Sequence, residues 1–211
     1  TAELLRMMLM VAFLLAYLLG SVPTAYLLVK WTRRIDIRTV GSGNVGATNA
    51  LRAAGKGIGA AVFIIDVLKG VLAARLLPVW VVGVTDPVLN LSCGLMAILG
   101  HNFPCFLRFQ GGKGVATTIG VLLGTMPAVA GLIGLVWLAV FAACRYVSIA
   151  SMVAAVAIPF GQAWAGQGRV EVALGGLLAG LILLRHRANI DRLRRGTEPR
   201  ALTRPAGRGN S

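Results

Sequence analysis

The sequence predicts an all-α fold, a polytopic membrane bundle of about seven transmembrane helices, from its composition, its charge and its apolar pattern. Of the 211 residues 57% are hydrophobic, yet the formal net charge is +14. The charges must therefore be concentrated in short stretches between long apolar ones, which is typical of a polytopic membrane protein. A nucleic-acid-binding protein would instead show basic residues interleaved with aromatics on a soluble module, and the sequence has no such module.

Apolar stretches that end at polar, glycine or proline breaks define seven predicted segments. The first is predicted to be a retained helix, because it continues into polar residues without the small-residue pattern of a cleavage site. Roughly 20 apolar residues cross a bilayer, so the shorter segments are predicted to be tilted, re-entrant or packed inside the bundle. The predicted segments are residues 4–29, 58–81, 88–107, 115–126, 128–143, 148–164 and 172–184.

Lysine and arginine residues accumulate in the connections that follow the first, third, fifth and seventh segments. By the positive-inside rule these connections are cytoplasmic, which places the N-terminus outside and the C-terminus in the cytoplasm. Residues 1–195 are accordingly predicted to form one integral membrane domain. Residues 196–211 are rich in Arg, Pro and Gly and lack apolar periodicity, so they are predicted to form a disordered basic tail.

Residues 36–52 read DIRTVGSGNVGATNALR and form the first candidate for chemistry. A glycine-rich loop exposes backbone N–H groups, and with the N-terminus of the following helix it favours binding of an anion such as phosphate. Gly41, Gly43 and Gly46 also spell G-x-G-x-x-G, but a dinucleotide-binding site requires a parallel βαβ unit and the next segment is an apolar helix. A plain tight turn is the other interpretation, and it does not need the polar residues Ser42, Asn44, Thr48, Asn49 and Arg52.

A second glycine loop, residues 110–117 with the sequence QGGKGVAT, also leads directly into a predicted helix. It places Lys113 among exposed amides, although it lacks the spacing and the Lys-Ser/Thr ending of a nucleotide-binding P-loop. Lys113 could instead serve only as a charge that orients the membrane domain. Two cationic loops on one membrane face nevertheless indicate a site for two anionic groups.

Asp66 and Lys69 are three residues apart and therefore share one helix face in the second apolar segment. Charges at membrane depth are costly unless they are paired or face a polar cavity, so this face is predicted to point into the bundle as an ion pair that supports the site. Direct catalysis by Asp66 stays open. His101 is either a further site residue or a hydrogen-bonded histidine at a helix end.

His186 and Asn189 follow the last segment three residues apart, so they can hydrogen-bond the same ligand. His186 and Asp191 also match the H-x4-D spacing of one class of acyltransferase. Five residues of helix would separate their side chains by about 140°, so this match is interpreted as coincidental. No metal cluster and no cofactor motif is visible, and the cysteines provide neither a disulfide framework nor a zinc motif.

Taken together and in this order, these motifs resemble the PlsY family, bacterial membrane acyltransferases that acylate glycerol 3-phosphate with acyl phosphate. The resemblance extends from residue 16 to about residue 195, and it implies seven helices in the bacterial inner membrane with a site that faces the cytoplasm. It also implies transfer of a fatty acyl group to the sn-1 hydroxyl of glycerol 3-phosphate, with lysophosphatidic acid and inorganic phosphate as products. The matching segments are GSVPTAY, DIRTVGSGNVGATNALR, IIDVLKG, GHNFPCFLRFQGGKGVAT, RYVSIAS and RHRANIDRL.

The resemblance implies five catalytic residues that bind or position glycerol 3-phosphate, namely Ser42, Arg52, Lys113, His186 and Asn189. The loop from Gly41 to Asn49 is implied to hold the phosphate of the donor. The implied substrate-binding residues are Gly41, Gly43, Asn44, Gly46, Thr48, Asn49, Gly111, Gly112, Gly114 and Ser148. The implied partners are acyl phosphate, glycerol 3-phosphate and the lipid bilayer, without nucleic acid, metal or cofactor, and the oligomeric state is left open, a monomer included.

Three questions stay open at this point. The chain could transport a phosphorylated small molecule, although transporters place ionisable groups near the membrane midplane between repeated halves, whereas the polar motifs here share one predicted face. The acyl donor could be an acyl-CoA or an acyl-carrier-protein thioester. The proton of the attacking hydroxyl could pass to His186 or to the donor phosphate.

Overall fold

A computed structural model describes residues 2–201 and contains ten α-helices and no β-strand within them. The all-α prediction is confirmed, and the lack of strands in this range removes the βαβ unit that a dinucleotide-binding site requires. The helices are α1 Ala2–Ser21, α2 Thr24–Arg33, α3 Ala47–Ala54, α4 Lys56–Val71, α5 Pro87–Asn102, α6 Val115–Thr125, α7 Pro127–Cys144, α8 Val147–Trp164, α9 Arg169–Arg185 and α10 Arg187–Arg194.

All seven predicted segments form helices. Within the described range, five stretches are long and apolar enough to cross a membrane, namely Ala2–Arg33, Lys56–Val82, Pro87–Leu107, Pro127–Cys144 and Val147–Trp164. The other two predicted segments correspond to α6, with 11 residues, and α9, with 17 residues, which are short for a full crossing. The number of crossings and the orientation of the termini stay predictions.

The first predicted segment is not one continuous helix. α1 ends at Ser21 and α2 begins at Thr24, so Val22 and Pro23 interrupt the helix. Proline has no backbone N–H and disfavours a helical conformation in the residue before it, which explains the break. The prediction of a single helix over residues 4–29 is wrong at this point, because apolar content does not register the lost hydrogen bonds.

α4 is extended by two π-helical turns, Leu72–Leu76 and Pro78–Val82. Pro78 cannot donate a backbone hydrogen bond to the preceding turn, and the wider π turn accommodates this gap. Gly83 then ends the helix in a left-handed conformation with φ of 77°. Together these turns and α4 form one helical segment of 27 residues, Lys56–Val82.

Glycines at two helix crossings bring backbones into close contact. A Cβ atom at Gly20 of α1 would overlap the backbone of Ala97 in α5, and one at Gly120 of α6 would overlap the backbone of Val67 in α4. Small residues at membrane helix interfaces allow such an approach. These crossings pack α1 on α5 and α4 on α6, and the same helices carry the second glycine loop and the buried polar residues described below.

A group of buried apolar side chains fixes the first glycine loop to the bundle. Ile37 and Val45, on either side of the glycines, are buried and pack with Val29 of α2, Ala50 of α3 and Val62 of α4. Burial of a large aliphatic side chain contributes about 1.5–3 kcal/mol. The loop is therefore a packed part of the fold rather than a free connection.

Candidate active site

The two glycine loops meet at one cavity of about 270 Å³. All five residues that the sequence predicts to be catalytic line this cavity: Ser42, Arg52, Lys113, His186 and Asn189. Six predicted substrate-binding residues line it as well: Asn44, Gly46, Thr48, Asn49, Gly114 and Ser148. The fold thus brings residues from both halves of the chain to one place.

Four predicted substrate-binding glycines, Gly41, Gly43, Gly111 and Gly112, lie outside the cavity lining. Gly41 and Gly43 have φ of 60° and 68°, a left-handed conformation that other residues rarely adopt. A Cβ atom at Gly112 would overlap the His101 ring. These glycines therefore shape the loops, while neighbouring residues line the cavity.

Asn49 organises the first glycine loop from inside, with 1% of its surface exposed. Its Oδ1 atom accepts a hydrogen bond from the backbone N–H of Ser42 at 3.0 Å. Its Nδ2 atom lies 3.1 Å from three backbone carbonyl oxygens of the loop, those of Ile37, Val40 and Asn44, which share its two N–H groups. Both ends of the amide are used within the loop, so Asn49 has a role in loop structure, and its role in direct substrate binding stays a prediction.

α3 begins at the same loop, with Gly46 as the N-cap in an extended conformation. Gly46, Ala47 and Thr48 line the cavity. The first N–H groups of a helix have no intrahelical partner and carry the positive end of the helix dipole, so this wall suits an anion. Arg52 lies one turn further along α3 and adds a full positive charge to the same cavity.

The second glycine loop is held between α5 and α9. The backbone N–H of Gly112 donates to the carbonyl of His101 at 3.0 Å. The Arg185 guanidinium, at the end of α9, donates to the carbonyls of Gly111 and Gly112, both at 2.9 Å. These contacts fix the loop on both sides and place Lys113 at the cavity wall.

A chain of polar contacts joins the second glycine loop to the C-terminal part of the chain. The Nζ atom of Lys113 donates to Oδ1 of Asn189. Nδ2 of Asn189 donates to Oε1 of Glu198 at 2.6 Å. Nε of Arg192 donates to Oε2 of Glu198 at 2.7 Å. The Glu198 carboxylate thus determines which end of the Asn189 amide faces Lys113.

The sequence predicts disorder from residue 196, whereas Glu198 and Pro199 line the cavity. Besides the contacts of Glu198, the backbone N–H of Ala201 donates to the carbonyl of Arg145 at 2.9 Å. Composition does not reveal this contact, because an ion pair with Arg192 of α10 anchors a segment that lacks apolar periodicity. The remainder of the predicted tail, residues 202–211, lies outside the described residues.

His186 lies between α9 and α10, and its side chain is buried. Its Nδ1 atom is 2.8 Å from the carbonyl oxygen of Ile182, which can only accept a hydrogen bond, so Nδ1 carries the proton. Nε2 of the neutral ring therefore has an acceptor lone pair. Burial and the neighbouring charge of Lys113 lower the pKa of His186 to about 4, so the ring is neutral at physiological pH.

Burial and mutual interactions set the charges of the other site residues. Burial lowers the pKa of Lys113 from 10.5 to about 8; nearby arginines act in the same direction, and Glu198 opposes them. Burial alone would raise the pKa of Glu198, but hydrogen bonds from Asn189 and Arg192 bring it below its ordinary value. At neutral pH the Glu198 carboxylate therefore lies among several cations, an arrangement that suits a phosphate.

Sequence reasoning does not identify Arg192, Glu198, Trp137 and Ser151 as cavity residues. Trp137 and Ser151 lie within apolar segments, where nothing in the sequence distinguishes them from ordinary packing residues. Glu198 stands out only as the one acid in residues 196–211. Asp191 is exposed and lies outside the cavity lining, which agrees with the interpretation of the H-x4-D match as coincidental.

A helical membrane bundle thus surrounds a cavity with helix-start amides, cations and a neutral histidine, groups whose chemistry is complementary to a phosphorylated ligand. Within residues 2–201 no group of three or more His, Cys, Asp or Glu side chains is arranged to hold a metal ion.

Known proteins share this sequence and this fold. A family model described as glycerol-3-phosphate acyltransferase matches residues 10–196. The chain is 46% identical over 191 residues to the glycerol-3-phosphate acyltransferase of Myxococcus xanthus, with 89% of this chain and 96% of the relative covered. It is 47% identical over 186 residues to the enzyme of the same name from Desulforudis audaxviator, with 88% and 92% covered.

Two crystal structures of PlsY, an integral membrane glycerol 3-phosphate acyltransferase, are also similar. The glycerol 3-phosphate form matches with a TM-score of 0.85 and 41% identity over 92% of this chain and 95% of that chain. The lysophosphatidic acid form matches with a TM-score of 0.82 and 40% identity over 91% and 94%. The chain belongs to the glycerol-3-phosphate acyltransferase family. It is an integral membrane acyltransferase, so the predicted family is confirmed and the transporter interpretation is not supported.

Proposed function

We propose that this chain transfers a fatty acyl group from acyl phosphate to the sn-1 hydroxyl of glycerol 3-phosphate, which yields lysophosphatidic acid and inorganic phosphate. The observation that carries the proposal is the single cavity in which two cationic glycine loops meet His186 and Asn189. We place this cavity on the cytoplasmic side of the bacterial inner membrane, because the positive-inside rule assigns both loops to the cytoplasm. The relatives named glycerol-3-phosphate acyltransferase support the acceptor.

In this proposal Arg52 binds the phosphate of the acceptor. A guanidinium offers parallel N–H donors that match phosphate oxygens, and such charge-assisted bonds are about twice as strong as neutral ones. Ser42 and Ser148 line the same cavity and offer hydroxyl groups to the glycerol part, while Asn189 positions Lys113 beside it. The acceptor is thus held at both ends, with its free hydroxyl towards the donor.

The donor needs little chemical activation, because acyl phosphate is a mixed anhydride. The acceptor hydroxyl attacks the acyl carbon, an ester bond forms, and the bond between the acyl carbon and the phosphate oxygen breaks. The amides at the start of α3, together with Lys113, hold the phosphate that leaves and stabilise its charge. Orientation of two bound reactants gives effective concentrations of up to about 10⁵–10⁸ M, so no covalent enzyme intermediate is required.

The acyl chain is proposed to lie in a second, apolar cavity between α6, α7 and α8. This cavity shares Val115, Trp137 and Ser151 with the polar one, so the two spaces adjoin. The indole N–H of Trp137 donates to Oγ of Ser151 at 3.2 Å, which satisfies the polar groups at the junction. An acyl chain whose phosphate is held in the polar cavity can therefore extend directly into the membrane domain.

A donor-exchange assay with the purified protein in detergent tests the proposed reaction. With glycerol 3-phosphate and palmitoyl phosphate we expect release of inorganic phosphate and formation of lysophosphatidic acid, each dependent on both substrates. Palmitoyl-CoA or palmitoyl acyl-carrier protein is expected to give no product. Product formation with either thioester at a comparable rate would show that the donor assignment is wrong.

His186→Asn is expected to retain measurable turnover, with kcat lowered by about 10²-fold or less. A base works best when its pKa lies near the operating pH, whereas the pKa of His186 is about 4. As the bond to the acyl carbon breaks, the leaving phosphate oxygen gains negative charge and becomes strongly basic, so it is the better proton acceptor and His186 mainly orients the hydroxyl. Measurement of kcat and KM for glycerol 3-phosphate checks this. Complete loss of turnover with unchanged KM would identify His186 as the base.

Gly134→Leu is expected to shorten the acyl chains that the protein accepts. Gly134 of α7 lines the apolar cavity, and in the described part of the chain no atom lies within 4 Å of an added Cβ. A leucine side chain would fill space that a long acyl chain needs, at a cost of about 1–3 kcal/mol. The ratio of kcat/KM for palmitoyl phosphate to that for decanoyl phosphate is therefore expected to fall by about 10-fold.

Gly131→Leu is the matched control for this measurement. Gly131 lies on the same helix and has similar open space at its Cβ position, but it is not part of the cavity lining. Its variant is expected to keep the original ratio. Equal ratios in the Gly131 and Gly134 variants would contradict the placement of the acyl chain.

A further inference from the structure

Asp66, Lys69 and His101 form a buried polar cluster at the cavity, with 2%, 4% and 9% of their surfaces exposed. The predicted ion pair is confirmed, with 2.7 Å between Nζ of Lys69 and Oδ1 of Asp66. Nδ1 of His101 lies 3.7 Å from the same carboxylate oxygen. Asp66 and His101 line the cavity, whereas Lys69 lies outside the lining. The reaction described above uses none of the three.

Lys69 also donates hydrogen bonds to backbone carbonyls at the end of α1. Its ammonium group donates to the carbonyl oxygens of Val22 at 2.9 Å and Gly20 at 3.4 Å. Both carbonyls lie at the break before Pro23, where the regular helical hydrogen bonds end, and an unsatisfied carbonyl in a membrane domain is costly. Lys69 therefore ties α4 to the gap between α1 and α2.

His101 connects the same cluster to the second glycine loop in two ways. Its backbone carbonyl accepts the N–H of Gly112 at 3.0 Å. Its ring packs so closely against Gly112 that a Cβ atom there would overlap Nε2. Lys113 follows directly in the chain, so its position depends on the ring that lies beside the Asp66 carboxylate.

We propose that the Asp66–Lys69 ion pair is a positioning device that acts through His101 and Gly112 to place Lys113 in the cavity. This inference rests on the proposed role of Lys113 in phosphate binding. A buried ion pair is weak evidence for stability, because apolar residues of similar volume often replace such pairs without loss of stability. The Asp66–Lys69 pair lies between the α1 break and the second glycine loop. We therefore assign it to the positioning of site residues rather than to stability.

A double-mutant cycle tests the proposal. Asp66→Asn/Lys69→Met neutralises both partners at once and leaves no unpaired buried charge. We expect kcat/KM for glycerol 3-phosphate to fall by about 10-fold or more, since small displacements of a positioning group have effects of this size. Activity is measured per folded protein, because loss of the Lys69 hydrogen bonds to Gly20 and Val22 is itself expected to lower the melting temperature. In a Lys113→Met background the same pair of substitutions is expected to change kcat/KM by less than about 2-fold, because the group it positions is absent.

Lys56→Met is the matched control, since it removes an exposed cation from the same helix, and it is expected to leave kcat/KM unchanged. An equal loss in both backgrounds would show that Asp66 contacts the substrate directly. A lower melting temperature with unchanged kcat/KM per folded protein would show a purely structural role. Each of these two results overturns the proposal.

If the Asp66→Asn/Lys69→Met variant does not fold, His101→Ala takes its place in the double-mutant cycle with Lys113→Met. It leaves the ion pair intact and removes the ring from Gly112, so the same loss and the same non-additivity with Lys113→Met are expected. Additive losses would again overturn the proposal. Full activity of Lys113→Met alone would refute the proposed role of Lys113 and this inference with it, a result that is distinct from an additive cycle.

Discussion

Replacing Lys113 with methionine is expected to lower kcat/KM for glycerol 3-phosphate by about 10²–10³-fold. In the proposed reaction the charge of Lys113, held at the cavity by Asn189, stabilises the phosphate that leaves. Methionine keeps most of the side-chain volume and removes the charge, so the loss reports electrostatics rather than packing. Arg108→Met removes an exposed cation from the same connection, outside the cavity lining, and is expected to keep full activity. Equal activities of the two variants would contradict the role of Lys113.

The same residue predicts how activity depends on pH. Because burial lowers the pKa of Lys113 to about 8, the free enzyme holds this cation below that pH and loses it above. kcat/KM reports the free enzyme, so we expect it to decline as the pH rises beyond this value. A guanidinium stays charged throughout, so the residual activity of Lys113→Arg is expected to lack the alkaline decline. An unchanged decline in Lys113→Arg would assign it to another group.

Glu198→Gln is expected to lower kcat/KM by about 10–100-fold, since hydrogen bonds to charged groups contribute about 1.5–3 kcal/mol. The carboxylate accepts hydrogen bonds from both Asn189 and Arg192. A glutamine side chain has one acceptor oxygen and one donor NH2 group. It can accept a hydrogen bond from only one of these two residues and places its own donor group against the other. The Asn189 amide is then free to turn its oxygen away from Lys113.

The alkaline decline provides a second readout of Glu198. Its negative charge raises the pKa of Lys113, so a neutral glutamine is expected to move the decline of kcat/KM to lower pH. Glu171→Gln, in the first turn of α9 and outside the cavity lining, is the matched control and is expected to change neither quantity. Unchanged kcat/KM together with an unchanged pH profile in Glu198→Gln would refute the proposed orientation of Asn189.

The first glycine loop shows what the residue pattern predicts about the site and what it does not. Glycines interleaved with polar residues predict an anion-binding loop before a helix; the structure has a loop followed by α3, and anion binding stays a prediction. The pattern does not tell which polar side chains face the ligand. Asn49 is predicted to bind substrate, yet its amide is used by loop backbone groups. An amide serves either purpose equally well, and only its surroundings decide.

Two local features show the opposite limits of sequence reasoning. Pro23 is visible in the sequence, but the apolar residues around it outweigh its effect in a hydropathy pattern, and the predicted helix continues through the break. Glu198 lies in a stretch whose composition predicts disorder, because the arginine that anchors it is not recognisable as its partner. The prediction of a continuous first helix overlooks local hydrogen bonds that Pro23 removes. The prediction of disorder around Glu198 overlooks a contact between two separate segments.

The sequence by itself determined the helical membrane bundle, the place of the two glycine loops and the family, because hydropathy, glycine placement and motif order are properties of neighbouring residues. Only the tertiary structure decided that Lys113 meets Asn189, 76 positions later in the chain, and that Glu198 orients the amide between them. It also decided that the Asp66–Lys69 pair reaches the break in α1. Such contacts depend on how whole helices pack against one another, and no local pattern of residues encodes that arrangement.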